Sequence, residues 1–493
     1  MTISLHSEKS ETGEPVRVEF QRYEIETQHT PHRYPVPHPF VPKVSKIGLA
    51  KILIGEVFDY KFKLLKSNYR KTLLSRPCIY GVFNSRFGGF SPIEERCVGC
   101  MRCVEEYPEV CQVDRNPAFT NFGDSYWMPD DPNKVSESPF GIVWYEAKTG
   151  KIQVKGMGYK GLFAAEGWDS MWTDMSEIVR PTRDGVYGRE FISTQVDIGS
   201  RPSKLEFPIR KRITRITSIP VPVLFDYLPD NLLSTSVGKS IILAAKHTQI
   251  KYIFKPDQID KLGLPVDDNL ILYVDASSFG RIGSHISKAS AILLDQTSVE
   301  LLDRIKSIRS DIPVLVRMPL TERTYEQLEP LVEQKVDGFL LYADYHGRDW
   351  DGGQQFVKDL IADVHRKLVK AGTRDKVTLL SSGGIILAEH VPKAIIVGSD
   401  AVAINTSVLV ALQAKFESSC RVGEEAMVTD LDFDSDWGGK RLINLLGSWH
   451  DQLIEIMSAM GIKEVRRLRG DTGRAMYKEE LEEAAFGDIT RID

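Results

Sequence analysis

Residues 313–342 read PVLVRMPLTERTYEQLEPLVEQKVDGFLLY. Pro313–Arg317 is a short apolar run, Tyr325–Gln334 sets apolar residues on one stripe with charges opposite, and Gly338–Tyr342 is apolar again. A parallel strand covered by helices on both faces has just this texture, and a crossover helix joins it to the next. The same unit recurs in both directions. Strands are expected at Val221–Phe225, Lys251–Phe254, Leu270–Val274, Ala291–Leu294, Val377–Leu380 and Ala394–Val397, with helices at Val299–Ser307 and Gln354–Ala371. Eight strands of this kind predict an α/β fold, a (β/α)8 TIM-type barrel rather than a doubly wound sheet. The alternation starts after Phe207, so residues 205–415 are assigned to the barrel and 416–493 to a helical C-terminal extension with two segments in Gly438–Leu468.

Upstream the texture differs. Residues 1–75 read as a polar N-terminal arm followed by an amphipathic helix over Lys46–Leu74, and 76–204 as a metal-binding segment and linker. His32 and His38 are separated by prolines and read as surface residues rather than metal ligands. Ile142–Tyr145 and Ile152–Val154, on either side of Lys148-Thr149-Gly150, look like a hairpin. With 42% hydrophobic and 27% charged residues the chain is globular. A net charge of −5 argues against a general nucleic-acid binder, and no apolar run is long enough for a transmembrane segment. The first residues lack the pattern of a secretion signal. Six cysteines, four of them between Cys97 and Cys111, suggest a metal in a reducing compartment, so the expected location is cytoplasmic.

Cys97-Val-Gly-Cys100-Met-Arg-Cys103 lets one tight loop wrap three thiolates around an iron–sulfur core, with Gly99 relieving the crowding. Where a ferredoxin has its fourth cysteine before a proline, this chain has Tyr107 before Pro108. Cys111 is the favoured fourth ligand of a [4Fe–4S] cluster and Cys78 its rival. If neither reaches, a 3Fe–4S cluster or a non-protein ligand follows. Structural zinc, usually held by two separated cysteine pairs, fits the spacing less well. A one-electron carrier pairs naturally with a flavin, and an electron donor protein or reductase subunit would feed it.

Barrel enzymes bind ligands at the C-terminal ends of their strands, often with a phosphate after the seventh and eighth. Val377–Leu380 runs into Ser381-Ser382-Gly383-Gly384-Ile385, and Ala394–Val397 into Gly398-Ser399-Asp400. Paired glycines there can bring backbone N–H groups onto a phosphate, or form a plain tight turn. Val237-Gly238-Lys239-Ser240 lacks the earlier glycine of a phosphate loop.

Ser382-Gly383-Gly384-Ile385, Gly398-Ser399-Asp400-Ala401-Val402, Val274-Asp275-Ala276-Ser277-Ser278-Phe279-Gly280, the helical stretch from Asn444 to Leu468 and the run Met175–Gly185 together carry a resemblance. The chain resembles the FMN-binding glutamate synthase family, in particular its shorter members with a ferredoxin-like cysteine segment before the barrel. That resemblance implies FMN held by Arg317, Ser382, Gly383, Gly384, Gly398 and Ser399, and His346 or Asp344 acting near the substrate, although an exposed loop His and Asp can equally be solvated. It also implies a homo- or hetero-oligomer with a related barrel subunit. The departures are specific: Asp295-Gln296-Thr297-Ser298 replaces a lysine-bearing glycine loop, Ala343-Asp344-Tyr345-His346-Gly347 replaces a glycine-rich one, Phe225-Asp226-Tyr227 replaces Gly-Ala-Met, and only Cys420 follows the barrel. No amidotransferase segment is recognised. Two functions are expected from this pattern. One is an iron–sulfur, FMN-linked oxidoreductase acting on an imine-type or related substrate. The other is a degenerate barrel without flavin chemistry, an electron-transfer or scaffolding subunit beside an active relative.

Overall fold

The computed structural model describes residues 23–33, 40–45, 78–84, 92–97, 99–115, 139–152, 167–173, 191–200, 215–283, 285–334, 336–416, 420 and 426–486, with isolated positions at 47, 50 and 54. Most of the expected helix over Lys46–Leu74, and all of the run Met175–Gly185, lie outside them.

In chain order the elements are β1 (Phe40–Val44), α1 (Arg102–Glu106), β2 (Cys111–Arg115), α2 (Pro139–Thr149), β3 (Met171–Thr173), β4 (Val196–Ser200), β5 (Arg215–Ile219), β6 (Val223–Phe225), α3 (Thr235–Thr248), β7 (Tyr252–Phe254), α4 (Pro256–Leu262), β8 (Leu270–Val274), β9 (Ala291–Asp295), α5 (Leu302–Ile308), β10 (Val314–Pro319), α6 (Thr324–Glu333), β11 (Gly338–Tyr342), α7 (Val357–Lys370), β12 (Thr378–Ser382), α8 (His390–Ile396), β13 (Ala401–Ile404), α9 (Thr406–Ala411), β14 (Lys415–Phe416), β15 (Val428–Thr429), α10 (Ser435–Ala459), β16 (Ala475–Tyr477) and α11 (Lys478–Phe486). Strands β6 to β13 close a parallel eight-stranded barrel. Their residues are almost all buried, as strands covered on both faces must be. The antiparallel pair β4–β5 lies at the base, where Gly199 exchanges hydrogen bonds of 3.0 Å with the Thr378 hydroxyl at the start of β12.

Seven expected strands are where the sequence puts them. The eighth is not: Ala394–Ile396 ends α8, and the strand is Ala401–Ile404. A four-residue apolar run cannot tell a strand from a helix buried on every side, and every residue of α8 is buried. The expected hairpin is the helix α2. Val143, Trp144 and Ala147 share its buried side, the Trp144 indole donates to the Val410 carbonyl at 2.7 Å, and Gly150, at φ +66°, ends it as the Lys-Thr-Gly turn.

The long helix α10 starts at Asp434, whose carboxylate accepts the Asp436 N–H at 3.2 Å, and packs on α3. Side chains at Gly438 and Gly439 would collide with Ser240 and Leu243, at 2.3 and 2.5 Å, so both glycines set this close approach. The first described segment crosses α10. Asn444 donates to the Gln28 carbonyl at 2.6 Å and to the Ala147 carbonyl at 2.9 Å, and accepts the Gln28 N–H at 2.9 Å. At the barrel base Arg374 donates to Asp400 (2.8 Å) and the Gly398 carbonyl (2.7 Å), while Arg469 from beyond α10 reaches Asp400 (2.9 Å) and Asp375 (2.8 Å). The next residue, Gly470, donates to the Ile395 carbonyl at 3.2 Å.

Candidate functional site

Two places gather chemistry-bearing side chains. The first is a small core of its own, built on β1, β2, α1 and the turns before them, which buries Cys78, Cys97, Cys103 and Cys111 with Val82, Phe83 and Val110. It contains a cavity lined by Cys78, Cys97, Cys100 and Cys103 together with Pro42, Tyr80, Val82, Phe83, Gly99, Met101 and Val113. Gly99 sits at φ +63° against the ring of Phe40, where a Cβ would come within 2.5 Å. The cysteine loop therefore turns tightly at this glycine.

The thiols interact with one another. Burial pushes Cys78 up, and pushes Cys97 up to about 11. A hydrogen bond from Cys111 pulls Cys103 down to about 7, and the same bond, with burial, raises Cys111. Cys111 is not among the residues lining the cavity; it stands beside Cys103, 1% exposed, where β2 begins. The favoured fourth ligand therefore lies beside the cavity, while its rival Cys78 is in the wall. Among the described residues no three His, Cys, Asp or Glu side chains gather tightly enough for a single metal ion. A cluster asks for something different, because each thiolate binds a separate iron and the four stand apart around the core. The residues present fit an iron–sulfur cluster better than structural zinc.

The second place is the C-terminal mouth of the barrel. Arg317, from β10, lies 3.7 Å from the ring centroid of Tyr342 and within 5.6 and 5.8 Å of those of Tyr227 and Tyr273. Its Nε is shielded from solvent and has no hydrogen-bond partner among the described residues. Lys255 pairs with Asp275 at 2.8 Å and lies over the Tyr227 and Tyr273 rings, and the Tyr273 hydroxyl donates to Asp295 at 2.9 Å. Asp226 is 1% exposed; it accepts from the Ser382 hydroxyl, from its neighbour's N–H at 2.7 Å and from Asn405 at 3.4 Å. Burial would lower the Arg317 pKa, but Asp226 and the surrounding tyrosines together raise it. Burial likewise pushes the Tyr227, Tyr273 and Tyr342 hydroxyls up, keeping them neutral.

Against this mouth, the residues expected to hold FMN divide. Arg317 and Ser382 face it, but the Ser382 hydroxyl is taken by Asp226. Gly383 (φ +95°) and Gly384 (φ +66°) pack against the loop after β11, where a Cβ would meet the Asp344 carbonyl at 2.5 Å and Gly347 Cα at 2.6 Å. Beyond them the Ile386 N–H donates to His390 Nδ1 at 3.2 Å, and the Trp168 indole holds the Gly384 carbonyl at 3.1 Å. The glycines form a close backbone junction with the loop after β11. Gly398 and Ser399 precede β13 and so lie at the base, opposite the mouth. Gly398 packs on His365, and Ser399 donates to Ser381 at 2.8 Å. Their expected role is corrected with the misplaced eighth strand. In the mouth itself Tyr227 and Tyr273 meet edge-on, 4.9 Å between ring centroids, and crowd Arg317 together with Tyr342.

Asp344 and His346 sit in the loop after β11, where Asp344 accepts the backbone N–H of His346 (2.9 Å) and Arg348 (2.6 Å). Asp344 organises that loop. Asp226 and Tyr227 were legible only as departures from the family pattern, and Asn405, Lys255 and Tyr273 were not singled out; a strand that ends in a charged or aromatic residue was the signal available for them.

His390 stacks on Trp168, 5.6 Å between centroids, and burial pushes it down to about 3, against 6.5 for a free imidazole. Below pH 6.5 the unfolded chain takes up a proton that the native state refuses until about pH 3, so this residue makes stability fall with pH across that window. The expected loss is about 2 kcal/mol at pH 5. Urea midpoints at pH 7.5 and 5 will show it, and the His390→Gln chain will show a flatter dependence.

Residues 357–463 match the model of the conserved region in glutamate synthase. The archaeal-type glutamate synthase [NADPH] of Dehalococcoides mccartyi is 24% identical over 78% of this chain and 89% of its own length. The archaeal glutamate synthase [NADPH] of Methanocaldococcus jannaschii is 22% identical over 69% of this chain and 82% of its own. A solved flavocytochrome b2 with sulfite bound aligns over 56% of this chain and 76% of its own, at 13% identity and a TM-score of 0.38, a likeness too distant to argue from. The matched region runs from α7 through the end of α10, and the two curated relatives span most of the chain, a likeness that supports a divergent glutamate-synthase-like oxidoreductase.

Proposed function

We propose that this chain is the iron–sulfur, electron-carrying subunit of a glutamate-synthase-like oxidoreductase. The observation that carries the reading is the cavity walled by four cysteine thiols. When bound, an iron–sulfur cluster supplies one-electron transfer at a fixed potential. The chain's own residues would hold it: three thiols from the Cys97–Cys103 loop and one from an earlier turn, backed by Val82, Phe83 and Val113, which keep water from the sulfurs. Cys100 is the less buried of the three loop cysteines and marks the side open to a donor. The donor is an electron-transfer protein or reductase subunit, and a related barrel subunit with an open mouth would carry the substrate chemistry. This reading suits the cytoplasm, and no described helix is long and apolar enough to cross a membrane.

A second reading, an FMN-linked oxidoreductase acting on an imine-type substrate, is favoured by the unpartnered Arg317 Nε, since a cationic donor at the mouth suits an anionic group. It requires Arg317 and Tyr342 to part. One anaerobic preparation separates the two. Iron and acid-labile sulfide with no flavin released on denaturation support the subunit; equimolar flavin supports the enzyme. Protein without iron, sulfide or flavin defeats both.

A further inference from the structure

We propose that Cys78, rather than Cys111, is the fourth protein ligand of the cluster. The inference rests on the iron–sulfur reading above and argues which cysteine completes its ligand set. Cys78 opens a tight turn. The Gly81 N–H returns to its carbonyl at 3.2 Å, Gly81 takes φ +68°, and a Cβ there would come within 2.8 Å of the Asn84 amide. The turn is fastened to the stretch that leads into Cys97, by Ile93 N–H to the Val82 carbonyl at 2.7 Å and by Arg96 to the Gly81 carbonyl at 3.4 Å. Two loops distant in sequence thus present their sulfurs to one cavity.

Cys78, Cys97, Cys100 and Cys103 wall the same cavity, and Val82 and Phe83 from the Cys78 turn close it beside them. Cys111 stands differently. It pairs with Val44 across the β1–β2 ladder and is not in the cavity wall.

The test uses the full chain purified without oxygen, with iron and sulfide analysis and electron paramagnetic resonance. Cys78→Ala is expected to lose one iron of a [4Fe–4S] core and to show the three-iron signal when oxidised. Cys78→Ser, which keeps an oxygen donor of similar size, is expected to retain the iron with a changed spectrum, and it decides the matter should the alanine chain fail to fold. Cys111→Ala should keep the full iron content. Full iron in Cys78→Ala, an unchanged spectrum in Cys78→Ser, a three-iron core in the unsubstituted chain, or iron loss in Cys111→Ala overturns the assignment. Absence of iron and sulfide from the unsubstituted chain instead defeats the reading on which it rests.

Discussion

Asp226→Ala is expected to destabilise the chain by about 1–3 kcal/mol, the usual cost of leaving buried donors without their acceptor. Asp226 lies at the end of β6, 1% exposed. Without it the Tyr227 N–H, Ser382 and Asn405 lose their common acceptor, and Arg317 loses a favourable charge nearby. Urea denaturation measures the change. Asp226→Asn keeps the shape and part of the hydrogen bonding, so its loss should be smaller. A cost within about 0.5 kcal/mol for Asp226→Ala, the range of ordinary surface substitutions, would mean that Arg317 has another source of compensation and that the mouth is more open than its packing indicates.

Gly383→Ala is expected to cost about 2–5 kcal/mol, from a left-handed backbone that alanine disfavours and a methyl forced into packed main chain. A Cβ at this position would lie 2.5 Å from the Asp344 carbonyl and 2.8 Å from Ala343, both backbone, so no side chain can step aside. The result discriminates between two readings of the same glycine. Were Gly383 shaped for a phosphate, the substitution would abolish ligand binding and leave the midpoint of unfolding nearly unchanged. As a junction between the ends of β11 and β12, it should instead move that midpoint strongly, with or without flavin in the buffer.

The barrel was readable because buried parallel strands are written as runs such as Leu270–Val274 and Gly338–Tyr342, which few other structures tolerate between amphipathic helices. The same rule failed at Ala394–Val397, where a helix buried all round has the same composition. That one misplacement carried Gly398 and Ser399 to the wrong end of the barrel. The cysteine loop was legible from spacing alone. Its fourth wall was not, since Cys78 is brought in by a turn at Gly81 and hydrogen bonds from residues 93 and 96, none of which announces itself as a motif. The mouth was half legible: the bulky residues at Tyr227 and Tyr345 were visible as departures, but that Asp226, Ser382 and Asn405 meet depends on strand order around a closed sheet.

The clasp at the barrel base bears on how the chain comes to be made. Asp400 finds one of its arginines only in Arg469, and the Ile395 carbonyl, already bonded by the Gly398 N–H, gains a further donor in Gly470. Gln28 likewise waits for Asn444. A nascent polypeptide that has just released its last barrel strand from the ribosome tunnel therefore has both floor and flank unfinished, and cooperative closure must wait until the final helices emerge. Ribosome-stalled intermediates ending before residue 435 should accordingly be far more protease-sensitive than the finished molecule.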